Sequence, residues 1–201
     1  MDLKQLAILG GVPILDELSP YKSIGQEEKD AVIAVLDSQC LSGFYGSPSP
    51  EFLGGPKIRQ FEGKWCERYG CDYAVSVNSA TSGLIAAMGA IGVSPGDEVI
   101  VPPWTMSATV MAPLFYGAIP VFADIELETF CIDPNEVSKA ITSKTRAILA
   151  VNLFGHPAQL DRLRHIADQN GIYLIEDNAQ SPLGMEHTKY CGTIGDIGVF
   201  S

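Results

Sequence analysis

This sequence predicts an α/β fold in which a mostly parallel sheet is covered by helices on both faces, and three features predict it. Short runs such as Val99-Ile100-Val101 and Ala147-Ile148-Leu149-Ala150-Val151 are apolar throughout, as strands buried on both faces must be. Stretches with helical apolar spacing separate them, so successive strands are joined through helices. This rhythm starts near Tyr73 and continues to Ser201. A chain of 201 residues with 46% hydrophobic and 18% charged residues can bury a proper core and is not of a disordered composition.

Ahead of that rhythm, a helix is expected over Gln26–Asp37. Glu27 and Glu28 favour its start, and Ala31, Val32, Ala34, Val35 and Leu36 form its apolar face. Residues 42–56, rich in glycine, proline and serine, form a loop, and a loop of that length within a compact domain is usually functional or mobile. A helix over 57–69 follows. The chain then divides into an N-terminal segment, 1–72, and an α/β domain, 73–201. In the second part the expected strands are 74–77, Glu98–Val101, 119–123, 146–151, 172–176 and Ile197–Phe200. The expected helices are 82–91, 107–115, Pro134–Ala140 and 158–169. Ligands of such sheets bind at the carboxyl ends of the strands.

Composition narrows the function. A net charge of −11 opposes a phosphate backbone and argues against nucleic-acid binding. No apolar run approaches the length of a membrane span, and Met1-Asp2-Leu3-Lys4 does not open a secretory signal. The five cysteines, Cys40, Cys66, Cys71, Cys131 and Cys191, are scattered and include no Cys-x-x-Cys pair. That pattern argues against a disulfide framework or a zinc site, and fits packed, reduced thiols in a cytoplasmic protein.

Candidate chemistry collects at strand ends. Asn78-Ser79-Ala80-Thr81-Ser82-Gly83-Leu84 follows a strand and opens a helix. Its free N–H groups form either an anion site or an ordinary serine/threonine cap. In Ile175-Glu176-Asp177-Asn178-Ala179-Gln180 an apolar strand runs into an acid, suited to a protonated ring nitrogen, a metal or a cap. Gly192-x-x-Gly195-x-x-Gly198 is not the dinucleotide fingerprint, and no P-loop lysine follows. Of the histidines, His156 lies after a strand, whereas His165 falls within a helix and His187 in a polar loop. No nucleophile elbow is present.

In order and spacing these segments resemble the sugar aminotransferases of the DegT/DnrJ/EryC1/StrS family. The resemblance rests on Gly25-x-Glu27-Glu28, Val77 to Leu84, Pro95-Gly96-Asp97-Glu98-Val99-Ile100-Val101-Pro102 and Thr105-Met106-Ser107-Ala108-Thr109. It continues through Gly117-Ala118-x-Pro120-Val121-Phe122-x-Asp124, Asn152-Leu153-Phe154-Gly155-His156-Pro157-Ala158, Glu176 to Gln180 and Gly195-Asp196-Ile197-Gly198-Val199-Phe200-Ser201. It implies the large domain of a fold-type-I, pyridoxal 5'-phosphate-dependent enzyme. Asp177 would pair with the ring nitrogen of that cofactor, and Gln180 would lie beside the ring and its phenolic oxygen. Ala80, Thr81 and Ser201 would hold the phosphate. The residue over the ring face, usually aromatic in the family, is Met106 here, with Trp104 two positions earlier as the other candidate.

The implied reaction moves an amino group from an amino acid, with glutamate the expected donor, to a keto sugar linked to a nucleotide. The implied assembly is a homodimer, with the 42–56 loop as a candidate substrate or partner-subunit face. The family's Schiff-base lysine would fall just beyond Ser201, where some relatives carry histidine and act as dehydratases on keto-deoxy sugars. A chain ending inside an apolar strand is expected to be a truncated, inactive large domain. Two alternatives stand beside this reading: a non-catalytic module derived from the family that binds cofactor or a partner, and a nucleotide-binding α/β enzyme using Asp177 for a metal or ribose.

Overall fold

The computed structural model describes residues 6–15, 17, 19–43, 46–48 and 52–201. The chain divides into two compact units, Met1–Arg59 and Gln60–Ser201. In the first, helix α1 (Gln26–Asp37) forms over the expected residues. The Gly25 N–H donates to Glu28 Oε2 at 2.6 Å, closing the helix start. The apolar side of α1 is exposed at Val32, Ile33 and Leu36. Part of the 42–56 loop (44, 45 and 49–51) lies outside the described residues. Helix α2 (Pro56–Tyr69) continues into the second unit.

The second unit contains α3 (Ala80–Ala90), β1 (Glu98–Val101), α4 (Ser107–Leu114), β2 (Ile119–Phe122), α5 (Pro134–Ala140) and β3 (Thr145–Val151). After them come α6 (Leu160–Asn170), β4 (Tyr173–Asn178), β5 (Met185–Glu186), β6 (Lys189–Tyr190) and β7 (Ile197–Phe200). Five strands form a sheet in the order β2-β1-β3-β4-β7, with every neighbouring pair parallel.

Alternation along the strands sends residues to two cores, one on each face. Val99, Val101, Ala147, Leu149, Ile175 and Val199 pack with Leu84, Met88 and Ala112 of α3 and α4. Ile100, Ile148, Ala150 and Leu174 pack with Val137, Leu160, Leu163 and Ala167 of α5 and α6. This double burial is why the strands read as continuous apolar runs. The strand order reverses between β1 and β3, which leaves a crevice at the carboxyl ends of the central strands.

Gly83 sets how closely α3 approaches that crevice, because a Cβ there would lie 2.7 Å from the Val199 side chain. A side chain would push the helix off β7 and carry its N-terminus away from the strand ends.

One expected strand does not form. Residues 74–77 belong to no ladder; instead the Ser76 N–H and hydroxyl donate to Glu62 Oε1 at 2.7 and 2.9 Å. Val75 is 83% exposed. Between this segment and the sheet-edge strand β7 runs a groove of about 910 Å³, walled by Phe61, Trp65, Tyr69 and Phe200. A strand is a paired structure, and among the described residues none adjoins 74–77, so β-propensity alone leaves the segment irregular. The β5–β6 hairpin, in turn, was not expected; two-residue strands are too short to show a period. The thiols also depart in part from the packing expectation. Cys131 and Cys191 are buried and Cys66 and Cys71 half-buried, but Cys40 is exposed, and all five are free.

Candidate active site

At the carboxyl end of β4, successive side chains leave the strand toward opposite faces. Glu176 turns toward the loop before β7. Its Oε1 accepts the N–H groups of Ile194 and Gly195 at 2.8 and 2.6 Å, and its Oε2 those of Gly192 at 2.6 Å and Asn152 Nδ2 at 3.2 Å. Burial pushes its carboxyl above the ordinary value, and the N–H groups of Gly195, Gly192 and Ile194 and the Asn152 amide oppose the shift. This fully buried carboxylate thereby fixes the segment that leads into β7 and on to Ser201.

Asp177 turns instead into a cleft of about 250 Å³. Its Oδ1 accepts the Ala179 N–H at 3.1 Å, and its Oδ2 accepts the Thr109 hydroxyl at 3.3 Å. Burial raises its carboxyl above the ordinary value, opposed by the same two donors, Ala179 first and then Thr109. An ionised carboxylate offers about four acceptor sites, so room remains for a donor from the cleft. Among the described residues no cationic side chain lines that cleft.

All six residues singled out in the sequence, Ala80, Thr81, Met106, Asp177, Gln180 and Ser201, line this one cleft. Ala80 and Thr81 open α3, where N–H groups lack intrahelical acceptors. Ser79 caps the helix by accepting the Ser82 N–H at 3.1 Å, while the Ser82 hydroxyl donates to Asn78 Oδ1 at 2.6 Å. The cap reading and the anion reading of this turn are therefore compatible, because the cap uses Ser82 and leaves the N–H groups of Ala80 and Thr81. Gln180 is held through Oε1 by the Phe154 N–H at 2.8 Å, which leaves its amide donors available. Phe154 adopts φ 54° to make that contact, a left-handed conformation uncommon for a non-glycine residue.

Met106 precedes α4 and lines the cleft, whereas Trp104 lies against Phe130 with ring centroids 5.6 Å apart. The histidines stand elsewhere. His156 is exposed, with Nδ1 2.8 Å from the Pro157 carbonyl, and is not among the cleft residues. His187, at the β5–β6 turn, lies 3.6 Å from Asp161.

Three residues of this region were not assigned from sequence: Thr109, its neighbour Thr105, and the buried Glu176. For the threonines a signal existed: hydroxyls four positions apart, Thr105 just before and Thr109 within the mostly apolar helix Ser107–Leu114, ask for a polar partner.

A helix N-terminus and a buried, cation-free carboxylate on one small cleft suit a ligand with an anionic group at one end and a protonated nitrogen at the other. The chain is 37% identical over 190 residues to the dTDP-3-amino-3,4,6-trideoxy-alpha-D-glucose transaminase of Streptomyces venezuelae, covering 94% of this chain and 47% of that protein. The structure of an aminotransferase from Psychrobacter cryohalolentis superposes with a TM-score of 0.83 at 34% identity, over 92% of this chain and 45% of that one. The E. coli GDP-4-keto-6-deoxy-D-mannose-3-dehydratase, solved with bound hydrated PLP, gives 0.80 at 31% identity, over 90% and 45%.

The chain thus spans a little under half the length of the relatives it matches, and over that length its parallel sheet and helices are those of the fold-type-I large domain. Residues 22–201 match the DegT/DnrJ/EryC1/StrS aminotransferase family, and with the cleft, the sheet and the relatives in agreement, the chain belongs to that family.

Proposed function

We propose that this chain is the cofactor-binding part of an enzyme that uses pyridoxal 5'-phosphate to move an amino group from glutamate to a nucleotide-linked keto sugar in amino-sugar biosynthesis. The carrying observation is Asp177: a buried carboxylate with two donors, no cationic side chain among the described residues of its cleft, and an open side toward that cleft, which also holds the start of α3. These groups fit the cofactor, whose phosphate suits the N–H groups of Ala80 and Thr81 and whose ring nitrogen suits Asp177. When bound, the cofactor supplies an electron sink for the loss of a proton beside the transferred nitrogen.

The chain's own side chains orient and tune it. Asp177 would hold a proton on the ring nitrogen, Gln180 would donate toward the phenolic oxygen, Ser201 would add a hydroxyl to the phosphate, and Met106 would lie over the ring. The nucleotide-sugar substrate follows the names of the Streptomyces and E. coli relatives. Residues 73–201 carry this cofactor site, residues 1–72 supply a substrate-side segment, and the enzyme works as a cytoplasmic homodimer. Among the described residues none lining the cleft is a lysine, so the 201-residue polypeptide alone binds cofactor without transamination.

The test is the full-length protein mixed with pyridoxal phosphate, glutamate and a dTDP- or GDP-linked keto sugar. The proposal expects a visible absorption band that glutamate shifts, and aminated sugar by mass spectrometry. Binding without turnover would favour a non-catalytic module, dehydrated sugar would favour the dehydratase chemistry, and no binding at all would overturn the reading. The same assay on residues 1–201 should show binding and no product.

A further inference from the structure

Thr109 is fully buried in a helix whose neighbouring residues Ala112 and Pro113 are buried apolar groups. A hydroxyl in such a place is costly unless it is hydrogen-bonded, and valine would have the same shape without the cost. The Thr109 hydroxyl donates to Asp177 Oδ2 at 3.3 Å, and its oxygen lies 2.7 Å from the Thr105 hydroxyl. Threonine has one proton to give. With that proton committed to the carboxylate, the short Thr105–Thr109 contact must be donated by Thr105. The two hydroxyls form a directed chain, Thr105 to Thr109 to Asp177, whose second step spans 68 residues of sequence. Asp177 Oδ1 is tied separately to the Ala179 N–H. Each carboxylate oxygen therefore has one fixed donor, and together they set the plane in which the acid faces the cleft.

We propose that Thr109, held in turn by Thr105, is a positioning residue that aims the Asp177 carboxylate at the ligand and keeps it a proton acceptor there. This rests on Asp177 being the ring-nitrogen partner. Among the described residues lining the cleft, Asp177 is the one ionisable side chain, whether the wall is α3, α4, β3 or the segment at Ser201. Glu176, beside it in sequence, is engaged with the N–H groups of the 192–195 loop. The donors that hold Asp177 in its acceptor form are thus hydroxyl and N–H groups, and Thr109 is the side-chain one.

Thr109→Val keeps the shape and removes the donor; Thr109→Ser keeps the donor and removes a methyl group. In the full-length protein, the titration of Asp177 is followed by carboxyl NMR in ¹³C-aspartate-labelled, cofactor-free samples, with Asp177→Asn identifying the signal. Affinity is measured in parallel for pyridoxal phosphate and for its 1-deaza analogue, which has carbon in place of the ring nitrogen. Thr109→Val should raise the Asp177 titration midpoint and weaken pyridoxal phosphate binding by roughly 10-fold, as loss of one hydrogen bond to a charged group does. Thr109→Ser should restore both, and the deaza analogue should bind wild type and Thr109→Val alike. An unmoved midpoint in Thr109→Val overturns the proposal, as does equal weakening toward both ligands, which would mark a merely structural residue. A raised midpoint with pyridoxal phosphate affinity unchanged would uphold the Thr109–Asp177 coupling and overturn Asp177 as the ring-nitrogen partner.

Discussion

Two depressions flank the start of α3, and they differ in what surrounds them. The larger, about 910 Å³, runs along β7 and is walled by Phe61, Trp65, Tyr69 and Phe200 with the unpaired 73–77 segment opposite. The smaller, about 250 Å³, holds Asp177, Gln180 and the first residues of α3. Ser79, Ala80 and Ser201 border both. Size favours the groove, and both hold polar groups fixed in orientation, Ser76 on Glu62 in the groove; what the cleft adds is a buried carboxylate with acceptor capacity left over. Asp177 is held by two donors, Gln180 by a backbone N–H in a left-handed turn, and the α3 start by a serine cap. Chemistry depends on such preorganisation, whereas the groove beside β7 is largely apolar and offers mainly burial. On the proposed function, that difference marks the cleft as the ligand site and the groove as a surface for packing.

The sharpest way to break that contrast is Asp177→Asn in the full-length protein. Turnover should fall on the order of 10³-fold, the scale of losing a group whose interaction counts in the transition state. Stability should move the other way. Burial raises the folded-state carboxyl above its ordinary value, so the native state binds this proton more tightly than the unfolded chain. Stability of the cofactor-free wild type therefore declines as pH rises from the unfolded-state value through the raised folded one, and the cost is complete above it. Asparagine carries no such cost. The variant should melt higher than wild type at neutral pH, with the gap closing as pH falls below the ordinary aspartate range. Near-normal turnover would remove Asp177 from its assigned role, and a variant less stable at neutral pH would show that its hydrogen bonds outweigh the cost of burying it.

A smaller effect is expected at the α3 start. Thr81→Pro deletes one N–H donor at the second helical residue, in the first turn where proline is tolerated. One hydrogen bond to a charged phosphate corresponds to a loss of roughly 10- to 100-fold in cofactor affinity. Equilibrium titration of the purified variant checks this, and unchanged affinity would place the phosphate outside the cleft.

What was legible in the sequence follows the range of the forces involved. Strands β1, β3 and β4 could be read because burial on both faces demands apolar runs. Asp177 could be read because a charge ending such a run has few places to go except the ligand end of the sheet. The 74–77 segment has the same apolar look, yet a strand is decided by a neighbour, and pairing leaves no local trace. Thr109 illustrates the same limit in the site. Its partner lies 68 positions away, so its hydroxyl looked like one more small polar residue at a helix start. Glu176 was hidden by its neighbour: two adjacent acids look alike in sequence, and strand alternation alone sends one to the 192–195 loop and the other to the cleft.

The mildest test lies in the groove. Val75 is 83% exposed and lines the groove opposite Trp65 and Phe200. In the 201-residue polypeptide, Val75→Lys removes little buried area, and the ammonium can stay in water while its stem covers the trough. The expected change in unfolding free energy is within about 0.5 kcal/mol, and cofactor affinity should stay within roughly two-fold because no cleft group is touched. What should change is the trough itself, since a charge in an apolar patch discourages association. The variant should bind less of a hydrophobic dye and stay monodisperse to higher concentration in light scattering. A Val75→Lys chain that loses cofactor affinity as strongly as Thr81→Pro would show that groove and cleft are one site, and the contrast between them would fall.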